Sequence, residues 1–253
     1  MFGRTSSGAA IAGTFFFVVS AAGAQPPDAK PRRPVVVELY TSQGCSSCPP
    51  ADALLGQLAI RKDVLAMSLP VTYWDMLGWR DTLADEANTK RQKAYAKELG
   101  RGGVYTPQMI VDGANDVVGS REQSVQATIA ARAGDMQTIP VNLEANHQQV
   151  QISVGQAQTA SPAEATIWLF GLLPQATVKI GDGENGGRTI TYHNVVRQIR
   201  AVGMWKGQPV TVSVPRGEAG RPHDGIAVLV QQGGYGRVLG AASIEHPNFY
   251  MVR

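Results

Sequence analysis

Val35-Val36-Val37-Glu38-Leu39-Tyr40 runs through Thr41-Ser42-Gln43-Gly44 into Cys45-Ser46-Ser47-Cys48-Pro49-Pro50, and the fold turns on this stretch. The first six residues are β-rich and nearly continuous in apolar character, as expected of a strand covered on both faces. From Ala51 to Ile60, Leu54, Leu55, Leu58 and Ala59 mark one face of a helix. Pro49 and Pro50 fit the first turn of that helix, where backbone N–H groups lack intrahelical partners and proline removes no ladder bond. The two cysteines therefore stand at a strand-to-helix junction. There the positive helix end and free amides stabilise a thiolate. This predicts Cys45 as the more exposed, attacking thiol and Cys48 as the thiol that resolves a mixed disulfide from within the first turn.

Upstream, Arg4 supplies positive charge, Ala9 to Val19 is almost wholly apolar, and Ala22-Gly23-Ala24 has the small-residue pattern of a cleavage site. That is the pattern of a secretory leader, 1–24. The apolar run is shorter than the about 18 to 20 residues of a membrane span. The expectation is an exported protein, periplasmic or secreted, with no stable membrane anchor after cleavage and a Pro-rich linker at 25–33. Outside the cytoplasm thiols pair, and Cys45 and Cys48 are the chain's two cysteines. A bridge closing so short a loop restrains the unfolded chain little, so a redox role explains it better than stapling. The net charge of +3 in 253 residues, with basic residues scattered, does not call for nucleic acid.

Downstream, Val64 to Val71 reads as a second apolar strand leading into the aromatic loop Val71-Thr72-Tyr73-Trp74-Asp75. Thr82 with Asp85 suggests a cap for a helix reaching Leu99. A short strand ending at Val111, a hairpin-type Asp112-Gly113, a return at Val117-Val118 and a helix opened by Ser120 with Gln123 complete the first half. From about Gln137 the texture changes to period two: Val150, Ile152 and Val154, then Val210, Val212 and Val214. The expectation is an α/β domain over 34–136, with a central mixed sheet flanked by helices, and an independent all-β, sandwich-like domain over 137–253.

The strand, the C-x-x-C at a helix start, and Thr106-Pro107-Gln108-Met109-Ile110-Val111-Asp112-Gly113 before a strand and hairpin together resemble the thioredoxin-like superfamily. The resemblance covers residues 34–134. It implies a cis Pro107 facing the cysteines, a Thr106 backbone free to pair with substrate as an added strand, and a buried carboxylate on the first strand that moves protons for the resolving cysteine. Glu38 is the candidate for that carboxylate; a solvent-facing strand-end glutamate is the alternative. The leader, Gly44-Cys45-Ser46-Ser47-Cys48-Pro49-Pro50 and the Glu184-to-Arg197 segment also resemble an exported bacterial domain-of-unknown-function family. The implied activity is thiol:disulfide exchange on a protein or small-molecule disulfide, with no cofactor beyond the redox-active disulfide and an unidentified redox partner.

Tyr73, Trp74 and Trp79 follow the second strand and so lie at the carboxyl end of the sheet, where ligands of open α/β sheets bind. They form either an aromatic wall for substrate or simple cover for the sheet edge. Zinc needs about four ligands, more than two cysteines supply, and the histidines all fall in the second half. Two other readings remain: copper(I) held by the dithiol with Met109 as third ligand, and a non-enzymatic module whose β half binds a partner. Asp182, Glu184 and Asn185 read as a hairpin turn rather than a calcium loop.

Overall fold

Strand β1 (Val35–Thr41) is buried along its whole length because it lies inside a sheet covered on both sides. It pairs in parallel with β2 (Val64–Pro70) and antiparallel with β3 (Gln108–Val111), which turns back as β4 (Asn115–Val118). The turn uses Asp112 and Gly113 at φ 51° and 65°, the positive values a tight hairpin requires. Helices α1 (Pro49–Ala59), α2 (Glu86–Glu98) and α3 (Glu122–Gly134) fall in the expected order. Asp85 alone caps α2, its carboxylate accepting from the Ala87 amide at 2.8 Å, while Thr82 turns away to accept from the Gln43 side chain.

The computed structural model describes residues 1–3, 33–134, 139–157, 164–220 and 225–244. The apolar run at 9–19 and the cleavage site at Ala24 lie outside the described residues. Among those described, no helix is long and apolar enough to cross a membrane.

Alternation along β1 divides its side chains between two cores. Val35, Val37 and Leu39 pack with Leu54, Leu55 and Leu58 of α1 and Val125 and Ile129 of α3. Val36 and Tyr40 pack with Tyr95 of α2 on the opposite face.

The second half, expected as an independent domain over 137–253, is not clearly separated from the first. Its strands are β5 (Val141–Ala145), β6 (Gln149–Val154), β7 (Ala165–Lys179), β8 (Thr189–Trp205), β9 (Val210–Pro215), β10 (Gly225–Gln232) and β11 (Val238–Ile244). Four of them extend the first sheet, giving eight strands in the order β11-β10-β7-β8-β2-β1-β3-β4; β5, β6 and β9 make a small antiparallel sheet. The join is parallel pairing of β2 with β8 at Ser68 and Val195. The physical reason is a shared core: Phe170, Leu172, Val196, Ala227 and Leu229 complete the cluster that Val36, Tyr40 and Tyr95 begin. The sandwich-like character survives locally, where Val150, Ile152, Val154 and Val214 of the small sheet pack on Ile167, Leu169 and Val228 of the large one.

Buried in the shared core is an ion pair. Glu38 accepts from Arg91 Nε at 2.6 Å and Nη2 at 2.9 Å, from the Tyr95 hydroxyl at 2.6 Å and from the Tyr40 hydroxyl at 3.1 Å. Arg91 Nη2 also donates to Gln231 of β10 at 3.0 Å. At the other end of β1, Arg33, expected in the linker, is buried and makes two bonds to the Asp112 carboxylate, at 2.8 and 3.0 Å.

Two outcomes follow from this packing. A fragment of residues 33–134 strips β2 of its neighbour and the Arg91 network of Gln231, and is expected to show no cooperative urea transition. In the full chain Arg91→Met leaves Glu38 buried without its counter-charge, so the urea-derived stability is expected to fall by about 3–5 kcal/mol.

Candidate functional site

Cys45 and Cys48 form a disulfide, their Cα atoms 5.4 Å apart. Cys48 is the N-cap of α1, and Pro49 and Pro50 take the first two helical positions, as their missing N–H groups allow. The Cys48 carbonyl accepts from the amides of Ala51 at 2.8 Å and Asp52 at 3.1 Å. Both cysteines are fully buried, at 0% exposure, so the expected difference in exposure between them is absent; Ser46 and Ser47 carry the exposed surface of the motif.

The burial has identifiable causes. Gln43 is enclosed: its amide donates to Asp81 at 2.8 Å, and its side-chain oxygen accepts from Trp79 Nε1 at 2.8 Å. Trp74 packs against Gly44, where an added Cβ would lie 3.2 Å from its own Cβ, and its Nε1 donates to the Thr106 hydroxyl at 2.9 Å. The Thr106–Pro107 bond is cis. The Pro107 carbonyl accepts from the Gly119 amide at 2.9 Å, and Gly119 lies against Leu39 of β1 and Ala51 of α1. Trp74 and Trp79 thus lie against the loop at Gly44 and Gln43, Thr106 is bonded to Trp74, and Pro107 is bonded to Gly119. Tyr73 is tied to α2 instead, its hydroxyl donating to Gln92 at 3.2 Å. Met109 is wholly buried in the core with Leu39 and Ala51.

Glu38 is buried rather than solvent-facing. It sits on the α2 face of β1, engaged by Arg91, whereas Ala51, Leu54, Leu55 and Leu58 of α1 pack on the opposite face. A buried carboxyl on α1 itself is Asp52, four residues beyond Cys48 and one helical turn along, its backbone amide donating to the Cys48 carbonyl at 3.1 Å. Asp52 is 2% exposed, and burial pushes its pKa up to about 8; Thr41 opposes the shift from outside full hydrogen-bond geometry, and Asp81 adds to it. The spacing of four was readable in the sequence, since such residues share a helix face.

The other group that the sequence concealed comes from far along the chain. β7 and β8 form a long hairpin that bends where Asn194 takes φ 46° and runs on alongside α1. His193 covers Gly56, and the Tyr192 hydroxyl is buried, its pKa raised by burial and then by Asp52 and Asp81. The tip, around 180–188, reaches the cysteine loop. Asn185, 1% exposed, donates through Nδ2 to the carbonyls of Gln43 at 3.0 Å and Cys45 at 2.8 Å. Glu184 accepts from the Ser46 amide at 3.1 Å. Trp79 lies across the tip, leaving room only for hydrogen at Gly181, where a Cβ would meet its ring at 2.8 Å.

Fold and site define a mixed α/β protein with a disulfide-closed C-x-x-C between its first strand and first helix. The chain belongs to the family described as protein of unknown function (DUF1223), whose model matches residues 36–231. The crystal structure of protein AGR_C_4864 from Agrobacterium tumefaciens is similar, with 33% identity and a TM-score of 0.73, covering 87% of this chain and 97% of that one. HBP35 of Porphyromonas gingivalis shares the fold at 13% identity and a TM-score of 0.62, over 87% of this chain and 79% of that one. No curated protein matches the sequence.

The raised pKa of Asp52 fixes the sign of a stability effect. With a folded pKa of about 8 against 3.8 unfolded, the native state keeps a proton that the unfolded chain releases, so this residue costs stability as pH rises through that window. Asp52→Asn is expected to match the wild type near pH 4 and to become more stable above it. The gap should widen as pH rises and level off near pH 8. Urea denaturation at a series of pH values measures it, and parallel curves for the two proteins would contradict it.

Proposed function

We propose that this chain is a thioredoxin-like thiol:disulfide oxidoreductase, acting outside the cytoplasm on protein or small-molecule disulfides. One observation carries the reading: a closed C-x-x-C pair at the start of α1 has a buried, protonatable carboxyl one helical turn behind its second cysteine. A disulfide spanning two residues adds little stability, and a buried carboxyl without a counter-charge is costly. Both features make sense if electrons and a proton pass through the site.

In the reducing direction the Cys45 thiolate attacks one sulfur of a substrate disulfide, forms a mixed disulfide and expels the first substrate thiolate. Cys48 then gives its proton to the Asp52 carboxylate and attacks the Cys45 sulfur. The second substrate thiolate leaves, and the Cys45–Cys48 bond is restored. Two electrons pass from the dithiol to the substrate, and an external thiol returns them. In the opposite direction Asp52 donates the proton to Cys48 as the bond opens. A carboxyl pKa of about 8 lies close to the ordinary thiol value of about 8.5, so neither transfer is far uphill. Trp74 and Thr106 flank the loop, and Met76 and Leu77 next to them are exposed. That apolar rim suits a polypeptide carrying the disulfide.

The test is reduction of a protein disulfide by dithiothreitol. The wild type is expected to accelerate it, Cys45→Ser to be inactive, and Cys48→Ser to accumulate a mixed disulfide through Cys45. A wild-type rate equal to that of dithiothreitol alone would defeat the reading.

A further inference from the structure

The hairpin tip of β7 and β8 bonds to the backbone on both sides of Gly44 and to the amide just after Cys45. These bonds join residues 138 to 142 positions apart. Asn185 uses both amide hydrogens on Gln43 and Cys45, an arrangement that fixes the loop immediately before the dithiol. Glu184 is exposed, yet its carboxylate is held on the Ser46 amide, one residue from Cys45 and ahead of α1. An amide in that position is a natural donor to a thiolate at a helix start. A carboxylate that occupies it removes the donor and brings a like charge.

Resting on the oxidoreductase reading, we propose that Asn185 and Glu184 are positioning residues of the dithiol. Asn185 clamps the loop before Cys45, and Glu184 takes the Ser46 amide and sets a negative charge beside Cys45, so that this thiol is restrained until the tip lifts. The tip is bonded to the Cys45 carbonyl, and Cys45 has no exposure with the tip in place. A substrate that displaces the tip both uncovers Cys45 and frees the amide that stabilises its thiolate. Opening and activation are therefore one event.

Among the described residues, other ionisable groups near the loop and tip include Asp52 on α1, Asp81 bonded to the Gln43 amide, Asp75 bonded to the Asp81 amide, and Asp182, Arg188 and Tyr192 on the hairpin. The variants leave all of them in place. Glu184 is ionised at neutral pH, since its bond to Ser46 holds it below the usual carboxylate range.

The experiment follows the pH dependence of Cys45 alkylation in the reduced full chain, together with the reduction potential of the Cys45–Cys48 couple. Glu184→Ala is expected to lower the alkylation midpoint by about half a pH unit, the size of one charge at a helix start, and to make the couple more oxidising. Glu184→Gln, which keeps the acceptor and loses the charge, is expected to shift it less, and Glu184→Asp to stay near the wild type. Asn185→Ala should move the midpoint in the same direction as Glu184→Ala, and the double variant should go little further. An unchanged midpoint and potential in Glu184→Ala would overturn the proposal. Because Glu184 is exposed, that variant tests the proposal even if Asn185→Ala fails to fold. The titration needs no turnover, so a wild type inactive on protein disulfides would refute the oxidoreductase reading by a separate measurement.

Discussion

The Glu38–Arg91 pair is the constraint around which the large sheet is organised. A carboxylate in the middle of a buried strand is tolerated only when a counter-charge and hydrogen bonds replace water. Here Arg91 supplies the charge, and Tyr40 and Tyr95 supply further donors. The guanidinium lies 5.0 to 5.6 Å from the ring centres of Phe170, Tyr95, Trp168 and Tyr235, which close off solvent and offer their π faces to the cation. Gln231 of β10 completes the set, accepting from Arg91 and donating to the Tyr95 hydroxyl at 2.7 Å. Four of these groups, Trp168, Phe170, Gln231 and Tyr235, come from beyond residue 164. The first half of the chain therefore cannot satisfy its own buried charge.

The same dependence appears on the opposite face of β1. There the dithiol rests on α1, and its loop is completed by Asn185 and Glu184 from the hairpin. The two faces use opposite solutions for a buried carboxyl. Glu38 is surrounded by donors, whereas Asp52 has none in full hydrogen-bond geometry among the described residues and is pushed toward its neutral form. A fully paired carboxylate holds structure together. One balanced between charged and neutral forms can exchange a proton.

Much of the site was legible in local sequence. The strand, the turn, the cysteines and the two prolines of α1 are determined within sixteen residues, because helix starts and strand burial depend on near neighbours. The Asp112-Gly113 hairpin was equally plain, since few residue pairs accept two positive φ values. The alternating runs of β6 and β9 also emerged as read. Glu38 shows the limit: its position on β1 was correct, but its role depended on Arg91, 53 residues away, which no local pattern identified. Asn185 is a sharper case, because a glycine-rich hairpin turn gives no sign of what its tip will touch.

By itself the sequence determined the strand-to-helix junction, the dithiol within it and the order of elements through α3, all of them consequences of periodicity, proline geometry and turn chemistry over short distances. Only the tertiary structure decided that one sheet runs through both halves, that Glu38 is engaged with Arg91 while Asp52 is buried, and that a distant hairpin bonds to the cysteine loop. Those outcomes depend on which strand finds the open edge of β2 and which side chains meet in the core. Such meetings are fixed by shape and by satisfaction of buried polar groups across the whole chain, and leave no period or motif in the residues that take part.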